Sequence, residues 1–193
     1  MDSKPLISVE RYNSGAIVLH WLIALLILAN WPLGYFHDAI KNSLGWNSVR
    51  LHQSLGLAVL LLSFARIGWR LAYRPPPLPA SIAPWRAAAA RFTYGAFYVL
   101  MVAVPITGWM RSSSGKAPLT FFDLFAVPKF AIQRGSSGAA FAKVSHEWLG
   151  WAILLLAILQ VAAALHHHFR LRDALLLRMV PGRRAGSADK IDE

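Results

Sequence analysis

Three histidines, His20, His52 and His146, lie inside or at the edge of long apolar stretches, and a run His166–His167–His168 closes the last of them. A neutral imidazole offers one ring nitrogen to a metal. Coordinating side chains within apolar spans are costly, and they point to function by default. One such histidine reads equally as an imidazole hydrogen-bonded to a neighbouring helix. Three at matched depths favour coordination. No Ser–His–Asp arrangement, paired carboxylates or phosphate-cradling loop accompanies them. The chain has no cysteine, which excludes disulfides, thiolate ligands and iron–sulfur clusters.

The elements that must position these histidines are read from hydropathy. Of the 193 residues, 56% are hydrophobic and only 15% charged. The apolar residues gather in four blocks, roughly 14–36, 51–73, 88–110 and 146–168. About 20 residues at about 1.5 Å of rise cross a hydrocarbon core of about 30 Å. Strand-like alternation is absent, so the blocks predict spanning helices. Trp31, Trp46, Trp85, Trp109 and Trp148 lie near block ends, where amphipathic rings favour the membrane interface.

The net charge of +11 reflects topology rather than nucleic-acid binding. Thirteen of the 20 Lys and Arg residues fall before the first block, around the second connection and in the C-terminal tail; seven fall in the other two connections. The positive-inside bias therefore puts both termini in the cytoplasm. The fold class expected is an all-α, integral membrane four-helix bundle. Residues 1–13 form a cytoplasmic N-terminal segment, 14–180 the membrane domain and 181–193 a disordered tail. The first block carries His20 and Trp21 and lacks a clear cleavage site, so it is read as a retained span. The proline-rich stretch 74–81 is expected to be a stiff connector. The 111–145 connection, with Phe121, Phe122 and Phe125, is expected to pack as an outer cap, and His37 to be solvated in the first outer loop.

Depth follows from counting. His52 and His146 both begin spans that enter from the outer side, so they share an outer level. His20 lies about six residues, or roughly 9 Å, into a span that enters from the cytoplasm. Fourteen residues after His146, within about 40° of the same face and about 21 Å further in, stands Gln160. Two ligand levels about 20 Å apart suit stacked haems, each held axially by imidazoles from facing helices. Gly56 and Gly150, one turn after His52 and His146, leave room for a flat macrocycle. Zinc fits less well, because ligands on separate levels do not converge on one ion. Arg66 is 14 residues after His52, on the same face at the inner level. It suits a haem propionate or, as a snorkelling cation, the interface.

The residues RYNSGAIVLHW (11–21), RLHQSLG (50–56), VPITGW (104–109), GKAPLTFFDLFAVP (115–128), HEWLGW (146–151) and HHF followed by RDALLLRM resemble the bacterial cytochrome b561 family of membrane b cytochromes over about 11–180. The resemblance implies two haem b groups, the outer carried by His52 and His146. It implies an inner haem carried by His20 and a histidine 14 residues after His146. Here that position is Gln160. Three outcomes are open: His167 substitutes from about 10 Å nearer the cytoplasm, the inner haem rests on His20 alone, or it is lost. The resemblance further implies electron exchange with quinone, with one branch similar to superoxide:quinone oxidoreductases, and residence in the bacterial inner membrane. The His166–Arg170 run reads as interfacial, suited to propionates, quinone carbonyls or lipid phosphates. A second reading makes the chain a haem-bearing anchor subunit, with 111–145 docking a periplasmic redox partner. A third, a metal or proton transporter, sits poorly with the separated levels.

Overall fold

The computed structural model describes residues 11–77, 83–171 and 176–181. The segment before residue 11, the proline-rich connector beyond residue 77 and the tail after residue 181 lie outside the described residues.

Helix α1 (Ser14–Tyr35) starts where the Asn13 side-chain oxygen accepts a hydrogen bond from the Ala16 amide at 2.9 Å. Such a cap satisfies one of the amide donors that a helix start leaves unpaired. The same oxygen accepts from the Trp69 indole at 2.8 Å, which fastens the start of α1 to the end of α3 (Ser48–Ala72). Between them, the short α2 (His37–Leu44) ends on Gly45, whose φ of +66° closes the helix in the left-handed conformation that glycine adopts cheaply. Helix α4 (Pro84–Ser113) begins with proline in its first turn, where no amide is needed. A two-residue hairpin follows, β1 (Thr120–Phe121) against β2 (Phe125–Ala126). Ser136 caps α5 (Ser137–His166), and a π-helical turn (His167–Leu171) continues it.

Helices α1, α3, α4 and α5 are each long and apolar enough to cross a membrane. They pack in that order, α1 on α3, α3 on α4 and α4 on α5, with α1 and α5 touching only lightly. Those two meet at the end that carries the hairpin, where the Trp31 indole donates to the Gly150 carbonyl at 3.1 Å and stacks edge-on to Trp151. One residue from each spanning helix builds the core: Ile23, Val59, Met101 and Ile153. Large apolar side chains on the opposite faces, among them Val18, Leu25, Leu61, Val99 and Leu155, point outward. A bundle in water would bury them; in a bilayer they face lipid. The chain is thus a four-helix membrane bundle.

Both ends of the bundle are tied down. At one end Arg178, only 5% exposed, donates to the Pro77 carbonyl at 2.9 Å and lies over the Tyr12 ring, while the Trp21 indole donates to the Met179 carbonyl. At the other, the hairpin folds onto α3: the Ser54 hydroxyl donates to the Thr120 carbonyl and accepts from the Phe122 amide at 2.9 Å. Phe122 and Asp123 turn the chain with φ of +48° and +60°. The Asp123 carboxylate accepts from Thr120 and pairs with Arg50.

Two features of the outer side differ from expectation. The last span begins nine residues before His146, because Ser137–Ser145, too mixed to read as a span, is held helical by the Ser136 cap and by packing of Ala142, which is fully buried. His37 is not a free loop residue. It opens α2, and its ring nitrogens contact the Gly34 carbonyl at 3.0 Å and Asp38 at 3.2 Å.

Candidate functional site

His52 on α3 and His146 on α5 meet inside the bundle, with ring centroids 5.9 Å apart and planes inclined at 75°. Each ring is held from a third helix. His52 Nδ1 donates to the Asn30 carbonyl on α1 at 3.0 Å; His146 Nδ1 donates to the Val104 carbonyl on α4, also at 3.0 Å. A proton fixed on Nδ1 leaves Nε2 with its lone pair, the tautomer a metal needs, and a second-shell carbonyl of this kind orients ligating histidines generally. The ring spacing suits a metal between the two rings.

Two glycines make this placement possible. A Cβ on Gly34 would lie 2.5 Å from His52 Cε1, and one on Gly108 would lie 2.8 Å from His146 Cε1. Gly34 stands four residues after Asn30, and Gly108 four after Val104. The same device therefore appears twice: a carbonyl that fixes the ring, and one turn on a glycine that gives it room. Gly56 and Gly150 differ. A Cβ on Gly150 would meet nothing within 4 Å, and one on Gly56 only the Asn30 amide nitrogen at 3.8 Å. Asn30 itself has a buried side-chain oxygen with no hydrogen-bond partner. The open space at Gly56 and Gly150, one turn after the histidines, and an Nε2 left without a hydrogen bond on each ring fit a flat iron macrocycle. Among the described residues no cluster of three His, Asp or Glu gathers as a metal-ion site. Beside His146, Glu147 pairs with Arg111 at 3.3 Å.

The inner level is built otherwise. His20 lies three residues before the core residue Ile23, its ring edge-on to Trp21. No described residue hydrogen-bonds its imidazole. Gln160 lies seven residues beyond Ile153 on the core-facing side of α5, and its Oε1 is buried with no hydrogen-bond partner. Arg66 is close enough to act on His20 electrostatically, and its guanidinium sits 6.0 Å from the centre of the Tyr98 ring. His167 does not reach back to this level. Helix α5 is α-helical through His166, and the His167 amide continues it by donating to Ala163 and Ala164. Seven residues of rise, about 10 Å, separate His167 from Gln160. His166 and His167 stand perpendicular to one another, and His168 lies against Phe169.

The sequence pointed to His52 and His146 as one level, and the structure brings their rings together. Gly34 and Gly108, and the carbonyls of Asn30 and Val104, were not anticipated. The available signal was a proline followed within three residues by glycine inside a span, in NWPLG (30–34) and VPITG (104–108).

Spanning helices that present facing imidazoles beside unfilled glycine faces define a membrane cytochrome. The model of the prokaryotic cytochrome b561 family matches residues 11–182, and the chain belongs to that family. Cytochrome b561 homolog 2 of Escherichia coli is 33% identical over 174 residues, covering 89% of this chain and 92% of that protein. The probable superoxide oxidase CybB of Yersinia pestis is 31% identical over 179 residues, covering 91% and 98%. Cytochrome b562 of Cereibacter sphaeroides is 32% identical over 178 residues, covering 88% and 94%. The chain is accordingly a multi-pass b-type cytochrome of the bacterial inner membrane, binding haem b and serving electron transfer.

Proposed function

We propose that the protein relays single electrons between the quinone pool, met at the cytoplasmic end, and a donor or acceptor at the outer face, using two haem groups stacked across the core. The outer haem is assigned to His52 and His146, with Gly56 and Gly150 flanking it, and the inner one to His20. Bound haem supplies a one-electron iron couple. The residues of the bundle would hold that couple rigid and shielded from water. The observation that carries this reading is the pair of facing imidazoles, each locked by a backbone carbonyl with Nε2 left free. Rigid ligands keep the metal environment nearly the same in both oxidation states, which favours fast transfer.

Quinone is the partner best suited to the cytoplasmic end. His166, His168 and Arg170 stand there as donors for a quinone carbonyl, beside apolar Phe169. The name of the Yersinia relative raises superoxide as the outer electron donor. Both arms are tested with the purified protein in proteoliposomes. Ubiquinol is expected to reduce the haem without added protein, and superoxide generated outside is expected to reduce it with quinone as final acceptor. If ubiquinol leaves the haem oxidised, the quinone assignment fails. If only a co-purifying periplasmic protein reduces it, the chain is an anchor and conduit subunit.

A further inference from the structure

The two levels of the bundle offer a haem very different ligands. At the outer level stand two imidazoles with fixed tautomers. At the inner level, counted by helix rise, stand one imidazole, His20, and one carboxamide, Gln160, whose buried Oε1 accepts no hydrogen bond. A buried carbonyl oxygen without a donor costs about 1–3 kcal/mol, so it calls for a partner. The core residue Ile153 lies midway between His146 and Gln160 on α5, so both face the bundle interior. His167 is one to two turns too far along an unbroken helix to replace Gln160. A neutral amide oxygen is a hard, weak donor to haem iron, whereas imidazole is a strong one.

We propose that the inner haem has one strong protein ligand, His20, and that Gln160 guards its other axial position as a weakly held, exchangeable site open to small neutral ligands such as carbon monoxide. Resting on the two-haem assignment above, this makes the cytochrome electronically asymmetric. The outer haem is low-spin and closed, and the inner one is high-spin and reactive. The buried Gln160 Oε1, which accepts no hydrogen bond, is free to act as that weak, displaceable ligand.

The test uses the purified full-length holoprotein, with haem counted by pyridine haemochrome. Spin state is read by electron paramagnetic resonance of the oxidised form, and carbon monoxide is added to the reduced form. The expected result is two haems per chain, with half the haem high-spin and half binding carbon monoxide. Gln160→His is expected to convert that half to low-spin and abolish carbon monoxide binding while both haems remain. Gln160→Leu is expected to keep both haems and the carbon monoxide reaction, and it serves if the histidine variant does not fold. Two low-spin haems inert to carbon monoxide would overturn the proposal and leave the two-haem cytochrome standing. A single inert haem would overturn it as well, by showing the inner haem lost. Carbon monoxide binding that survives Gln160→His at full extent would place the reactive haem elsewhere and also overturn it.

Discussion

The imidazoles of His52 and His146, carried on helices α3 and α5, stand 5.9 Å apart at their centres and 75° apart in plane. Neither helix orients its own histidine. Each ring takes its bearing from a backbone carbonyl of a neighbouring helix, so all four spanning helices take part in holding one imidazole pair. This division explains why the pair needs the whole bundle and why a change on α1 or α4 should reach both rings.

Gly34 and Gly108 give the sharpest such change. A methyl group at either position would sit inside the contact distance of an imidazole carbon, at 2.5 and 2.8 Å. Overpacking of this kind costs about 1–3 kcal/mol and is relieved by moving the softer partner, here the ring. Gly34→Ala and Gly108→Ala should therefore each displace the neighbouring imidazole. The measurement is the low-spin haem signal of the purified variants, expected to fall by half or more while the helical circular dichroism is kept.

Gly150 separates a packing role from a cofactor role. In the protein alone a side chain there meets nothing within 4 Å, so Gly150→Leu should leave the fold intact. With a macrocycle lying along that face, the leucine occupies its place. The expected outcome is normal expression and membrane insertion with outer haem incorporation reduced several-fold, read from haem per protein.

The histidine pair and the four spans were legible in the sequence because hydropathy and residue type carry them directly. His52 and His146 each begin a short His-x-x-x-Gly pattern, and counting turns places them at one depth. The partners that lock them were not legible. The acceptors at Asn30 and Val104 are main-chain carbonyls, which every residue possesses, so no residue type marks them. The glycines that matter most to the rings, Gly34 and Gly108, lie on other helices than the histidines they accommodate, and only the packing reveals them. The start of α5 at Ser137 was hidden for a related reason: Lys143 and the serines break the apolar run, while the cap and the buried Ala142 sustain the helix.

One small residue joins the hairpin directly to α3. Ser54 is 2% exposed, and its hydroxyl bridges α3 to the hairpin through the Thr120 carbonyl and the Phe122 amide. Ser54→Ala strips the partly buried Phe122 amide of its acceptor, a loss of about 1 kcal/mol. Protease cleavage within 114–136 should accelerate accordingly, by about tenfold or more for each 1.4 kcal/mol, without loss of the spanning helices.

The most direct measurement is haem content beside the reduced-minus-oxidised spectrum, taken on the purified protein and on His52→Ala and His146→Ala. Two haem b groups per chain are expected in the unaltered protein and one in either variant, with the low-spin bis-imidazole signal gone from both. An unaltered protein without a b-type α-band, or variants that keep the full haem content and its low-spin signal, would contradict the assignment of His52 and His146 as a ligand pair.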